Sequence, residues 1–138
     1  MAFITAKFEN REKVLARMRR IAPAVETEVA AQQMKAGDQL AERIASRAPV
    51  GATGRYRRSI HADRLATAGG NTSLVGMRQT KDPNAVGIFA EFMWRWLEFG
   101  TVNQHAQPHI FPTYRAMKKS IKAGLTRAMG RGIKKARR

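Results

Sequence analysis

The chain contains no cysteine, which excludes disulfides and thiolate metal sites and leaves cohesion to packing or assembly. Long apolar runs are missing as well: no stretch approaches the roughly 20 residues that span a bilayer. The opening "MAFITAKFENREK" lacks the apolar centre of a secretory signal. A soluble protein, cytoplasmic when made and without a membrane partner, is expected.

Negative charge is the scarcest feature. Ten Asp and Glu face 26 Lys and Arg, a formal net charge of +16, and such an excess predicts a polyanionic neighbour. Glu98 is the last carboxylate before the C-terminal residue, and Arg115, Lys118, Lys119, Lys122, Arg127, Arg131, Lys134, Lys135, Arg137 and Arg138 all follow it. Spaced in this way, they suit a basic helix facing a polyanion or, more plainly, a solvated helix end.

With 138 residues and 43% hydrophobic content, one domain with a modest core is expected. We place it at 1–129, with residues 1–8 as an N-terminal arm and 130–138 as a basic tail. From Glu9 to Ala48, the apolar residues Val14, Leu15, Met18, Ile21, Val25, Val29, Leu40 and Ile44 recur mostly at three or four, the period of a helix with one buried stripe. Pro23 predicts a break near Ile21 and Ala22 and the start of a second helix, which Gly37 weakens.

"APVGATG", residues 48–54, predicts a turn. "YRRSIHADRLA" and "TSLVGM" read as two strands of a hairpin with Gly69, Gly70 and Asn71 at its tip. After the polar loop "RQTKDPN", "AVGIFA" suits a third strand whereas Phe89, Met93, Trp96 and Leu97 recur at helical spacing, so a strand is expected at 85–90 and a short helix after it. Pro112 opens a last helix to about Met129, with Tyr114, Met117, Ile121, Leu125 and Met129 on one face and Gly130 and Gly132 loosening its end. The sum is an α+β domain: N-terminal helices, a small antiparallel sheet, a short helix with its EFGT turn, and a basic C-terminal helix.

Little here suggests catalysis or a cofactor. His105 and His109 are four apart, but Pro108 lies between them and no carboxylate takes a zinc-protease position. Ser59 and His61 have no acid-base partner nearby in sequence, and "GATGRYRR" lacks the Gly-Lys-Ser/Thr ending of a phosphate loop. Arg55, Arg57 and Arg58 around Tyr56 fit phosphate contacts with an interleaved aromatic, or equally a strand edge with outward arginines. Trp94, Trp96 and Phe99 suit a core or interface. Glu98 is expected to cap the Thr101 loop or to pair with an arginine of another subunit.

Taken together, "RAPVGATGRYRRSI", then "LEFGT", then "AQPHIFP" opening the last helix resemble the head-tail joining, or tail completion, proteins of long-tailed bacteriophages. The matching positions are Ala48, Pro49, Val50, Thr53, Gly54, Arg55, Arg58, Ser59 and Ile60; Glu98, Phe99, Gly100 and Thr101; and Ala106, Pro108 and Pro112. Gly51 and Ala52 stand where the family usually has one residue, and Tyr56 replaces a common leucine.

The resemblance implies a non-enzymatic virion protein of the tail or neck, present in the host cytoplasm during assembly. It implies a ring of identical subunits, expected to be a hexamer, around the DNA channel. Its partners would be neighbouring neck proteins such as the head completion protein, the tail terminator or the tail tube, and genomic DNA. Arg55, Arg57, Arg58, Lys118, Lys119, Lys122, Arg127, Arg131, Lys134 and Lys135 would then face DNA or acidic protein surfaces. Trp94, Trp96, Glu98, Phe99, Gly100, Thr101, Pro108 and Pro112 would form a subunit interface or a structural motif. A stand-alone basic nucleic-acid-binding protein is the alternative, and a small hydrolase or metal enzyme built on His61, His105 and His109 a third reading.

Overall fold

A computed structural model describes residues 11–66, 70, 72–76 and 84–137. The expected arm 1–8 and the hairpin-tip residues Gly69 and Asn71 lie outside these residues. The elements are α1 (Arg11–Arg47), α2 (Arg55–Ser59), β1 (His61–Arg64), β2 (Ser73–Leu74), β3 (Val86–Ala90), α3 (Trp94–Phe99) and α4 (Phe111–Arg137). The α+β architecture expected from the sequence is present.

α1 is one helix of 37 residues containing Pro23, so the expected break is absent. Proline costs the helix the bond to the Arg19 carbonyl, but Arg19, Arg20, Ala22 and Pro23 are exposed and water can satisfy that group. The next turn is held from outside. A Cβ at Gly132 of α4 would lie 2.6 Å from the Val25 Cα, so the two backbones nearly touch there.

Residues 55–59 form a helical turn, not a strand. The helical turn puts Tyr56 and Ile60, both buried, on the same side, whereas a strand carrying them inward would also bury Arg58 between them. The predicted hairpin is corrected too. β1 and β2 do not pair with each other; both pair antiparallel with β3, in the order β1-β3-β2. Alternation marks residues as strand, but it does not choose their partners. β3, made of Val86, Gly87, Ile88, Phe89 and Ala90, is the least polar strand and takes the centre.

α4 runs 27 residues to Arg137, well past the expected end near Met129. Its covered face is Thr113, Met117, Gly124, Ala128 and Gly132, while Tyr114 and Met129 of the predicted face are exposed. Small residues win because α4 lies directly against α1. Gly132 meets Val25, Gly124 meets Gln32, and Thr113 meets Arg47, so the helices run antiparallel. Glu28 of α1 adds ion pairs to Arg131 and Lys135. Gly130 and Gly132 therefore stay inside the helix.

The core joins Leu40, Ala41 and Ile44 of α1, with Ala48 just past its end, to Tyr56, Ile60, Ala62, Ala90, Trp94, Ile110 and Met117. Gly37 lets α1 approach the sheet, since a Cβ there would stand 2.5 Å from Val86 Cγ1.

Candidate functional site

The segment from α3 to the start of α4 is organised around Glu98. Its carboxylate is buried and accepts three backbone N–H groups: His109 at 2.8 Å and Ile110 at 3.0 Å on Oε2, and Phe111 at 3.1 Å on Oε1. These are donors at the N-terminus of α4 that the helix itself leaves unpaired, and a carboxylate is the acceptor best suited to that end of the dipole. Glu98 thus caps α4 rather than the Thr101 loop, as a side chain lent by α3.

His109 is buried beside it. Its Nδ1 lies 2.8 Å from the Gln107 carbonyl, and a carbonyl only accepts, so Nδ1 carries the proton. Nε2 of a neutral ring is left to accept the Tyr56 hydroxyl at 2.6 Å. Burial, reinforced by the charge of Glu98, pushes the Tyr56 phenol well above its ordinary value. The Tyr56–His109 pair has no local signature in the sequence, because 53 residues separate the partners.

Between Glu98 and His109 the chain makes a loop. Gly100 adopts φ +78°, and a Cβ there would meet the Ala106 nitrogen at 2.8 Å, so only glycine fits. Thr101 and Gln104 exchange backbone bonds of 2.9 and 3.3 Å, and Gln107 donates to the Leu97 carbonyl at 2.7 Å. Pro108 is exposed, and Pro112 sits in the first turn of α4, where its missing N–H costs nothing.

The aromatic residues divide. Trp94 is buried and donates through Nε1 to Ser73 Oγ at 3.1 Å. Trp96 is 47% exposed, Phe99 65% and Phe92 54%, with Val102 fully exposed. Phe92 packs edge-on against Trp96 at 5.3 Å, and the Arg95 guanidinium lies over Phe92 at 5.5 Å. Exposed apolar side chains on and beside one short helix mark a contact surface.

The arginines near the Thr-Gly turn are mostly occupied. Arg57 donates to the Ala45 and Ser46 carbonyls at 2.5 and 2.7 Å, which satisfies the end of α1. Arg55 pairs with Glu91 at 2.6 Å, and Arg58 donates to the Thr53 carbonyl at 3.0 Å. On α4, Arg131 and Lys135 are paired with Glu28. Lys118, Lys119, Lys122, Arg127 and Lys134 are exposed and, among the described residues, have no carboxylate partner. Nor do the described residues gather three His, Cys, Asp or Glu in a group suited to a metal.

No curated protein and no solved structure matches the chain significantly. A family model described as "Bacteriophage HK97-gp10, putative tail-component" matches residues 12–100, from α1 through α3 and the Glu98–Gly100 corner. The chain belongs to the HK97-gp10-like family of bacteriophage tail components.

Proposed function

We propose that this tail component, a part of the virion by its family, joins or completes the tail at the head-tail interface as one subunit of a ring around the DNA channel. Its role is structural, not enzymatic. The observation that carries this reading is the exposed cluster Phe92, Trp96, Phe99 and Val102, mounted on a corner that Glu98 holds rigid. A rigid aromatic platform flanked by polar residues is what a subunit contact needs; a head-to-tail arrangement of such contacts closes as a ring, with a hexamer as the expected count.

The exposed cations of α4, with Arg58, would then face DNA in the channel or the acidic surfaces of the head completion protein, tail terminator or tail tube. A conduit must attract DNA without gripping it, and dispersed, salt-screened charges provide that.

The test is the position and copy number of the chain in purified particles, together with particles made when Trp96→Ser and Phe99→Ser replace the native chain. A fixed copy number at the neck is expected, and the double variant should yield heads and tails that fail to join. Absence of the chain from particles would refute the proposal and favour a stand-alone nucleic-acid-binding protein.

A further inference from the structure

The seam between α1 and α4 has two unlike flanks. One is apolar, bordered by Leu40, Val86, Ile88, Ile121 and Leu125. The other is a polar cleft of about 270 Å³ bordered by Gln32, Lys35, Gln39, Ser120, Arg127 and Arg131. Past Gln39 and Ser120 it continues into a second hollow of about 450 Å³ reaching Arg43, Ser46 and Glu42.

The first cleft is rich in donors for identifiable reasons. Gln32 Oε1 faces Arg131 at 3.5 Å, while its Nε2 occupies the space a Cβ at Gly124 would fill, so the amide presents its N–H groups along the seam. Glu28, at the outer end, is already engaged by Arg131 and Lys135. Among the described residues, Lys35 and Arg127 have no carboxylate partner. Among the described residues, Glu42 is the one carboxylate lining the two hollows, and it sits at the far end beside Arg43.

We propose that this cleft is a phosphodiester-binding track for nucleic acid, in which Lys35 and Arg127 hold backbone phosphates while Gln32, Gln39 and Ser120 donate to their remaining oxygens. Cations interleaved with neutral donors suit phosphate groups, which offer several acceptor oxygens for each charge. The shape is linear: from Ala116 to Arg131 the helix rises about 22 Å, long enough to lie beside several consecutive phosphates of one strand. An acidic protein partner would meet Glu42 at the far end and would leave the neutral donors underused. The inference rests on the neck reading only for the choice of polyanion; the track itself is read from the cleft.

The test uses the full chain and a labelled 20-base-pair DNA duplex, with a labelled single strand in parallel, read by fluorescence anisotropy across a salt series. Lys35→Gln with Arg127→Gln is compared with Arg19→Gln with Arg20→Gln, which removes the same charge from the exposed surface of α1. The cleft pair is expected to weaken binding at least tenfold at about 0.1 M salt and to flatten the log-log salt slope by about 2, near 0.9 for each phosphate no longer neutralised. The control pair should change affinity less than threefold. Equal losses from both pairs would overturn the proposal.

If the cleft pair loses its circular dichroism signal, Lys35→Glu against Arg19→Glu, both at exposed positions, carries the same comparison. Two competitors separate the sources of anion. Displacement of the duplex by low-millimolar inorganic phosphate would reduce the cleft to a free-anion site, and displacement by polyglutamate at equal charge would make the partner an acidic protein; either result overturns the track. Cleft-dependent DNA binding by a chain that proves absent from the neck would overturn only the neck reading.

Discussion

Glu98 Oε2 accepts the backbone N–H of His109 at 2.8 Å, so a side chain of α3 closes the N-terminus of α4 across the Gly100 loop. The family match ends at Gly100, and this hydrogen bond joins the matched part of the fold to the start of the basic helix, whose length packs along α1.

Replacing Glu98 with Ala should therefore be among the most damaging single changes. It leaves three buried or half-buried N–H groups without an acceptor, each costing about 1–3 kcal/mol, so a loss of at least about 3 kcal/mol is expected. Glu98→Gln, which keeps one carbonyl oxygen, should lose about half as much. Urea unfolding measures both, and a loss under about 1 kcal/mol for Ala would mean that the cap is dispensable.

Tyr56→Phe should cost about 1–2 kcal/mol near neutral pH, because His109 Nε2 loses its donor in a buried setting. The variant should also change the alkaline limb of stability. Burial raises the Tyr56 phenol above its ordinary 10.0, so the fold favours the neutral form; that contribution is whole below about pH 10 and fades as pH climbs toward the folded value. Thermal midpoints at pH 8 and pH 11 should fall further apart in the native chain than in Tyr56→Phe. Identical falls would mean that the phenol is not what the fold protects.

Acid should loosen the far end of the α1–α4 pair first. The Lys135 hydrogen bond, with Arg131 beside it, lowers Glu28 below its ordinary 4.5. A depressed carboxylate contributes stability above its unfolded value and loses it as pH falls through the folded one. Amide exchange in residues 128–135 should therefore speed up below about pH 4.5 more than in residues 113–117, and Glu28→Gln should abolish the difference. High salt should imitate acid, since these groups are near solvent.

Gly132→Ala and Gly130→Ala should have opposite signs. The first places a Cβ 2.6 Å from the Val25 Cα and forces the helices apart, costing about 1–3 kcal/mol. The second meets nothing within 4 Å and should gain up to about 1 kcal/mol from helix propensity. Urea midpoints that move together would mean that the end of α4 does not rest on α1.

Several features were legible in the chain because their causes are local. Val86–Ala90 is a short apolar run, Trp94–Phe99 keeps helical spacing, and Ala48–Pro49 with Gly51 and Gly54 can only turn. Those signals yielded β3, α3 and the end of α1 within a residue or so. The charge imbalance and the "LEFGT" and "RAPVGATGRYRRSI" stretches pointed to phage tails, and the family match agrees.

The features that went unread depend on partners distant in sequence. Pro23 reads as a break until α4 is packed beside it, and Gly132 reads as a frayed end until Val25 lies against it. His61–Arg64 and Ser73–Leu74 look like a hairpin until β3 enters between them, because a strand's pattern records its faces and not its neighbours. Glu98 illustrates the division most plainly. Sequence alone determined that one carboxylate stands last in a cationic chain beside a glycine turn, since charge and turn chemistry belong to the residues themselves. Only the tertiary structure decided which N–H groups it caps, because hydrogen bonds between elements follow from how the helices pack.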